Sequence, residues 1–250
     1  NKYLTKTLDE FYLLNNYKKI LKKAQKEAQA QPGGGEAGKK FTIEDLDNLP
    51  QDKESKIYRK KEIVYSEGKY PRYLFFLRYG KVKTFKVNED GKEYITNIFK
   101  AGDYFGYNAL LKSSKYLESA TALEESEIIV IPSDEFMEMV YGSWEIADRF
   151  MKLLASDLDE AEIRLINLAY DSVRKRVADS LLLLHRKYIG EDEVEHIEIT
   201  ILRDDLASIV GTAKESVIRT LSDLKEEGLI AIEGSKITLL DLDGLRDLIG

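Results

Sequence analysis

Three side chains near the C-terminal end have the types and spacing of a base-reading set. Lys214, Glu215 and Arg219 fall within Lys214–Glu227, where Val217, Leu221 and Leu224 recur at helical spacing. On a helical wheel, Glu215, Arg219 and Ser222 point away from that apolar row, and Lys214 lies on its flank near the helix start. An arginine so placed can bond guanine O6 and N7 together, and a glutamate can accept from cytosine N4. Thr212 and Ser216 suit phosphate contacts or helix caps. Local roles compete with reading. Glu215, three residues after Thr212, also fits a capping box, and Arg219 stands one turn from Glu215, the spacing of a surface ion pair.

A reading helix must be held against a partner. Arg203–Val210 has the pattern of a short helix, Gly211-Thr212 of a turn, and Ala207 is small enough for two helices to cross over it. Leu206, Val210, Val217, Leu221 and Leu224 would form the shared core. After Gly228, Leu229–Glu233 and Lys236–Leu240 alternate about Gly234-Ser235, which gives a wing with Lys236 at its turn. This winged helix-turn-helix predicts double-stranded DNA as partner, with Thr212, Lys214, Glu215, Ser216, Arg219 and Lys236 as contacts. Residues 171–250 nevertheless carry 11 basic and 17 acidic side chains. Arg174-Lys175-Arg176, Lys214 with Arg219, and Lys236 could form a local positive face, although 174–176 reads equally as a solvated helix start.

Upstream, Ala147, Met151, Leu154, Leu158, Ala161, Leu165 and Leu168 alternate spacings of four and three across Ser143–Tyr170. That row is either the seam of a pairing helix or the buried side of an ordinary amphipathic one. We read it as a homodimer interface formed by Met151, Leu154, Leu158, Ala161 and Leu165. From Ile57 to Ile131, short runs at Glu62–Tyr65, Arg72–Arg78, Lys81–Asn88, Glu93–Phe99 and Glu127–Ile131 read as strands, with a hairpin turn at Asn88–Gly91. They predict a sandwich, jelly roll or small barrel.

The 250 residues are 43% apolar with a net charge of -7. With no cysteine and only two histidines, disulfides, thiolate metal sites and a multi-histidine site within one chain are excluded, and no cofactor or metal is expected. The longest purely aliphatic run is Leu181–Leu184, far too short to span a bilayer, and no signal peptide opens the chain, so a cytoplasmic location is expected. The chain opens on Asn1, which reads as a missing beginning. Gln31-Pro32-Gly33-Gly34-Gly35 is a linker by composition, and Leu8–Ala30 before it has helical periodicity.

The order of parts resembles the catabolite-activator/FNR superfamily of bacterial transcription regulators over residues 41–250. The motifs are Val64-Tyr65-Ser66-Glu67-Gly68, Tyr79-Gly80-Lys81-Val82, Gly102-Asp103-Tyr104-Phe105-Gly106 and Val210 through Arg219. The resemblance implies an α+β fold: a cyclic-nucleotide-binding-like β-roll (double-stranded β-helix or jelly roll), a long dimerisation helix and a winged helix-turn-helix. It implies a sensor at 41–142, a dimerisation helix at 143–170 and a DNA-binding unit at 171–250. The family's base-reading set is Arg-Glu-x-x-x-Arg; Lys214 replaces its first arginine and cannot form the bidentate fork. Gly106, Tyr107, Ser119 and Thr121 are the effector-pocket candidates. Cyclic-AMP binders place Glu after the roll glycine and Arg-Ser later, where this chain has Tyr107 and Glu118-Ser119, so dependence on cyclic AMP is not expected. Lys115 is the only cation nearby. An iron–sulfur sensor would need cysteines, and a heme sensor a roll histidine. Asn1 through Phe11 resembles the end of a response-regulator receiver domain, with Lys6 as its lysine, which makes 1–30 a receiver-like segment and 31–40 a linker.

The expected function is therefore that of a sequence-specific transcription regulator, with RNA polymerase and an unidentified small molecule as candidate partners and no membrane. The rivals are a winged-helix module that contacts only proteins, and an enzyme housed in the roll. For the enzyme no P-loop, GxSxG or clustered His/Asp/Glu set is found.

Overall fold

The computed structural model describes residues 41–51, 53–188 and 198–249. The expected N-terminal helix, linker and receiver-like segment lie outside the described residues. Helix α1 (Ile43–Asn48) is opened by a capping box in which Thr42 and Asp45 satisfy each other's backbone N–H groups. Eight strands follow: β1 (Ser55–Tyr58), β2 (Ile63–Tyr65), β3 (Tyr73–Tyr79), β4 (Lys81–Val87), β5 (Glu93–Lys100), β6 (Tyr104–Phe105), β7 (Ser119–Ala122) and β8 (Ser126–Pro132), with helix α2 (Tyr107–Leu111) between β6 and β7. They form two antiparallel sheets, ordered β1-β8-β3-β6 and β2-β7-β4-β5. The five expected strands are present within a residue or two at each end. The turn at Asn88–Gly91 closes β4 onto β5, with the Asn88 carboxamide oxygen accepting from the N–H groups of Asp90 and Lys92.

The space between the sheets is filled with rings. Tyr65 stacks on Tyr116 at 3.9 Å and faces Phe75 at 5.6 Å, and Phe105 lies 5.1 Å from Phe75 and 5.2 Å from Phe99. These aromatics carry the roll's apolar burial. A second cluster joins Leu74, Tyr104 and Ile131 to Phe136 and Met139 of α3 (Ser133–Gly142), and to Ile146 and Phe150 of α4 (Trp144–Tyr170). Helix α4 is 27 residues long and is capped by the Ser143 hydroxyl, which accepts from Ile146 N–H at 3.5 Å.

Helix α5 (Val173–Tyr188), strand β9 (Glu198–Thr200), helices α6 (Arg203–Val210) and α7 (Lys214–Glu226), strands β10 (Ile230–Glu233) and β11 (Lys236–Leu239), and helix α8 (Leu242–Asp247) complete the chain. Strands β10, β11 and β9 make an antiparallel wing. Leu181, Leu184, Leu206, Val210, Val217, Leu221 and Leu224 are buried together, and Ile95 and Ile98 from β5 of the roll belong to the same cluster. Among the described residues no helix is long and apolar enough to cross a membrane.

Candidate functional site

Helix α7 is held on α6 by Val217, Leu221 and Leu224, which are at most 2% exposed, with Ala207 buried beneath the crossing. The turn between them needs a left-handed residue, and Gly211 supplies it with φ of 69°. A Cβ there would also crowd the end of the Leu168 side chain at 3.0 Å, so the backbone conformation favours glycine and the packing adds to it. Arg176 of α5 donates to the Val210 carbonyl at 3.1 Å, satisfying an orphan acceptor at the end of α6. The expected capping box does not form. Helix α7 begins at Lys214 with Ala213 as its uncapped N-cap, so Thr212 lies one residue too early to reach the third helical N–H. Lys214, Glu215 and Arg219 are exposed and Ser216 is half-buried, on the side of α7 away from the core. No ion pair joins Arg219 to Glu215, and among the described residues neither side chain has an ion-pair partner.

The other cations do not stand free. Lys214 Nζ lies 2.9 Å from Asp204, Lys236 Nζ 2.7 Å from Glu198 and Lys175 Nζ 3.4 Å from Asp171, while Arg174 pairs with Glu227. Of residues 174–176, Arg174 and Lys175 are paired with neighbouring carboxylates at the surface, and Arg176 braces α6. The Lys214 and Lys236 pairs are exposed and screened by water, so a phosphate or base edge can displace them.

The effector candidates are divided among different partners. Gly106 packs its backbone against the Phe75 ring and leads into α2. Tyr107 is buried, and its hydroxyl donates to Asp157 Oδ2 of α4 at 2.5 Å. The Ser119 hydroxyl accepts from Glu67 N–H at 3.0 Å. Thr121 lines a cleft of about 510 Å³ with Lys60, Lys83 and Asp204, between the roll and α6. Glu118 accepts from the Thr96 hydroxyl at 2.5 Å, and that oxygen lies 2.8 Å from the Thr84 hydroxyl. Burial, more than any charge, pushes the Glu118 and Asp157 carboxyls above their ordinary range; Asp157 raises Glu118 further while Lys86 works against it, and Glu160 raises Asp157. Lys115 is exposed, with its ammonium 5.3 Å over the Tyr70 ring. The interior is thus aromatic with half-buried carboxyls, and Lys86, close enough to favour the charged form of Glu118, corrects the expectation that Lys115 is the only cation nearby.

Along α4 the regular apolar row is split. Ala147 is buried in its own chain, and Leu154 packs against the roll cluster. Met151 is half-buried. From the helix midpoint onward the row emerges: Leu158 is 48% exposed, Leu165 60% and Leu168 43%, with Ala161 exposed between them.

Residues 55–141 match the cyclic nucleotide-binding domain and residues 175–248 the Crp-like helix-turn-helix domain. The chain is a CRP/FNR-family transcription regulator. It is 25% identical over 209 residues to the fumarate and nitrate reduction regulatory protein of Escherichia coli strain K12, covering 83% of this chain and 82% of that one. It is 29% identical over 178 residues to the cyclic AMP receptor protein of Thermus thermophilus, covering 71% and 79%. The solved structure of FixK2 from Bradyrhizobium japonicum has a TM-score of 0.72 at 24% identity, covering 79% of this chain and 98% of that chain, which shows the fold. Such relatives disfavour the reading of the winged helix as a protein-only module.

Two features of this regulator escape sequence reasoning. Lys83 on β4 is 9% exposed and clasped at 2.7 Å by both Glu93 of β5 and Asp205 of α6. Burial alone would push its ammonium down, but the hydrogen bonds to Asp205 and Glu93 outweigh that and hold it above the usual lysine value. In sequence, Lys83 is one of three lysines on an alternating strand and has the signature of a solvated face. Asp157, which anchors α4 to Tyr107, likewise looks like one more charge on a charged helix.

Proposed function

We propose that the regulator binds DNA as a homodimer, reads bases with Lys214, Glu215 and Arg219, and does so without cyclic AMP. Thr212, Ser216 and Lys236 serve as backbone contacts, and a bidentate arginine makes Arg219 the strongest reader. The observation that carries the reading is the face of α7, where Glu215 and Arg219 stand exposed without ion-pair partners among the described residues, while the opposite side is sealed into the core.

Dimerisation rests on the exposed row Leu158, Ala161, Leu165 and Leu168. Leu158, Ala161 and Leu165 stand exposed, Leu168 is partly covered by the turn at Gly211, and a long dimerisation helix is what the family resemblance implies. Met151 and Leu154 would join the interface only at its margin. The working division is a roll at 41–142, a pairing helix at 143–170 and a DNA-binding unit at 171–250, in a cytoplasmic protein. The reading of 1–30 as a receiver end rests on Asn1 through Phe11 alone. Independence from cyclic AMP rests on Glu118 and Asp157, whose carboxylates would repel a cyclic phosphate, and on the stacked rings between the sheets. RNA polymerase is the natural further partner of an activator.

The test is selection of bound duplexes from a random pool without added nucleotide. A near-palindrome with half-sites about one DNA turn apart, roughly 34 Å, is expected. Selection of no site, or only in the presence of cyclic AMP, refutes the reading.

A further inference from the structure

One side chain on the reading face has no polar chemistry to offer and is only partly covered by the fold. Ile218 is 45% exposed, in contrast to the buried Val217 before it and the buried Thr220 and Leu221 after it. Its neighbours one turn away are Lys214 and Glu215 on one side and the buried Leu221 and exposed Ser222 on the other, and Arg219 follows it directly. Ile218 thus stands at the edge of the buried row, and the exposed side chains around it are polar. A β-branched residue at an exposed helical site also costs a few tenths of a kcal/mol relative to Ala, Glu or Lys. Helix propensity therefore gives no reason for isoleucine here.

When this face enters the major groove, the base edges present hydrogen-bond donors and acceptors and one apolar group, the C5 methyl of thymine. We infer that Ile218 reads a thymine methyl beside the base pairs contacted by Glu215 and Arg219. The inference rests on the assignment of α7 as the recognition helix and adds to it a base identity. The short side chain touches only a base directly beneath it, whereas Arg219 reaches farther from the next position along the helix. Specificity at the Ile218 position would then come from fit to a methyl group, since isoleucine cannot donate or accept.

The experiment measures fluorescence anisotropy on the selected site, with each thymine replaced in turn by deoxyuridine, which removes only the methyl. One replacement per half-site should weaken the parent about three- to tenfold, the size expected for losing one buried methyl contact. Ile218→Ala should bind the intact site correspondingly more weakly and be indifferent to that same replacement. Arg219→Ala, run in parallel, reports on the recognition helix itself. If Arg219→Ala loses specific binding but no deoxyuridine affects the parent, the Ile218 inference fails alone. It fails also if Ile218→Ala keeps the parent's full deoxyuridine sensitivity. A parent that selects no site, or an Arg219→Ala that binds like the parent, overturns the recognition-helix assignment and the inference together.

Discussion

Lys83→Met should destabilise the folded chain by about 2–3 kcal/mol, although it keeps the apolar stem of the side chain. Removing one member of a buried ion pair costs about 3–5 kcal/mol when the remaining charge stays dry. Here two carboxylates are orphaned, and they differ. Glu93 is 38% exposed at its side chain and can rehydrate, so it contributes little. Asp205 is 16% exposed and bears most of the penalty. Its place in the first turn of α6 returns about 0.5 kcal/mol through the helix dipole, which sets the lower figure. Asp205→Asn should cost less, because the ammonium retains Glu93. The double variant should cost about 1–2 kcal/mol less than the sum of the two singles, since the second change removes a carboxylate already without its partner. Equilibrium urea unfolding of the four proteins closes the cycle, provided the slopes agree. Single variants within 0.5 kcal/mol of the parent, or a strictly additive double, would refute the clasp as a stabilising contact.

Arg219→Ala should weaken specific binding by about 1–3 kcal/mol with non-specific binding nearly intact, whereas Lys236→Ala should weaken all sequences alike and flatten the salt dependence; anisotropy titrations at several salt concentrations separate the two. Leu158→Lys would put two ammonium groups in an apolar seam, so sedimentation should show a monomer at concentrations where the parent is a dimer, and a monomeric parent would contradict the pairing role. Burial holds the Glu118 carboxyl above its ordinary range, so its ionised form opposes folding. Its contribution is most favourable below the ordinary carboxylate pKa and is lost as pH rises through the higher folded value. Glu118→Gln should therefore raise Tm at pH 7 by a few degrees, about 2–4 °C per kcal/mol gained, and leave it unchanged in acid; a lower Tm at pH 7 would count against this. Calorimetric titration with cyclic AMP should show no micromolar binding.

The fold was legible wherever periodicity was strong and punctuated. Arg203–Val210 and Lys214–Glu226 were readable almost to the residue because their apolar rows end at Gly211 and Gly228. Strand β7 was not, since Ser119-Ala120-Thr121-Ala122 has no large apolar side chain to announce a strand, and β6 is two residues long. Helix α5 was visible only as a basic start and an aliphatic run, Leu181–Leu184, because nearly its whole circumference is covered by neighbouring elements. The reading face of α7 could be laid out on a wheel, but the state of its charges could not. That Lys214 meets Asp204 and Lys236 meets Glu198 depends on which helix and strand the fold brings alongside. The same holds for Arg176, whose role bracing α6 is set by a contact 34 positions along the chain.

Ile95 and Ile98 sit on a roll strand yet pack among the residues that support the reading helix, with Phe85 and Leu123 alongside. The C-terminal unit therefore closes part of its hydrophobic interior with roll residues. Cut from the roll, it would bare the apolar patch that Ile95 and Ile98 cover, and the roll would bare those two isoleucines. The two parts should then melt in one cooperative step, and each alone should be prone to aggregate. A movement that re-aims α7 relative to the roll must slide or part this shared interior. The orientation of the reading helix and the cohesion of the whole molecule draw on the same buried surface.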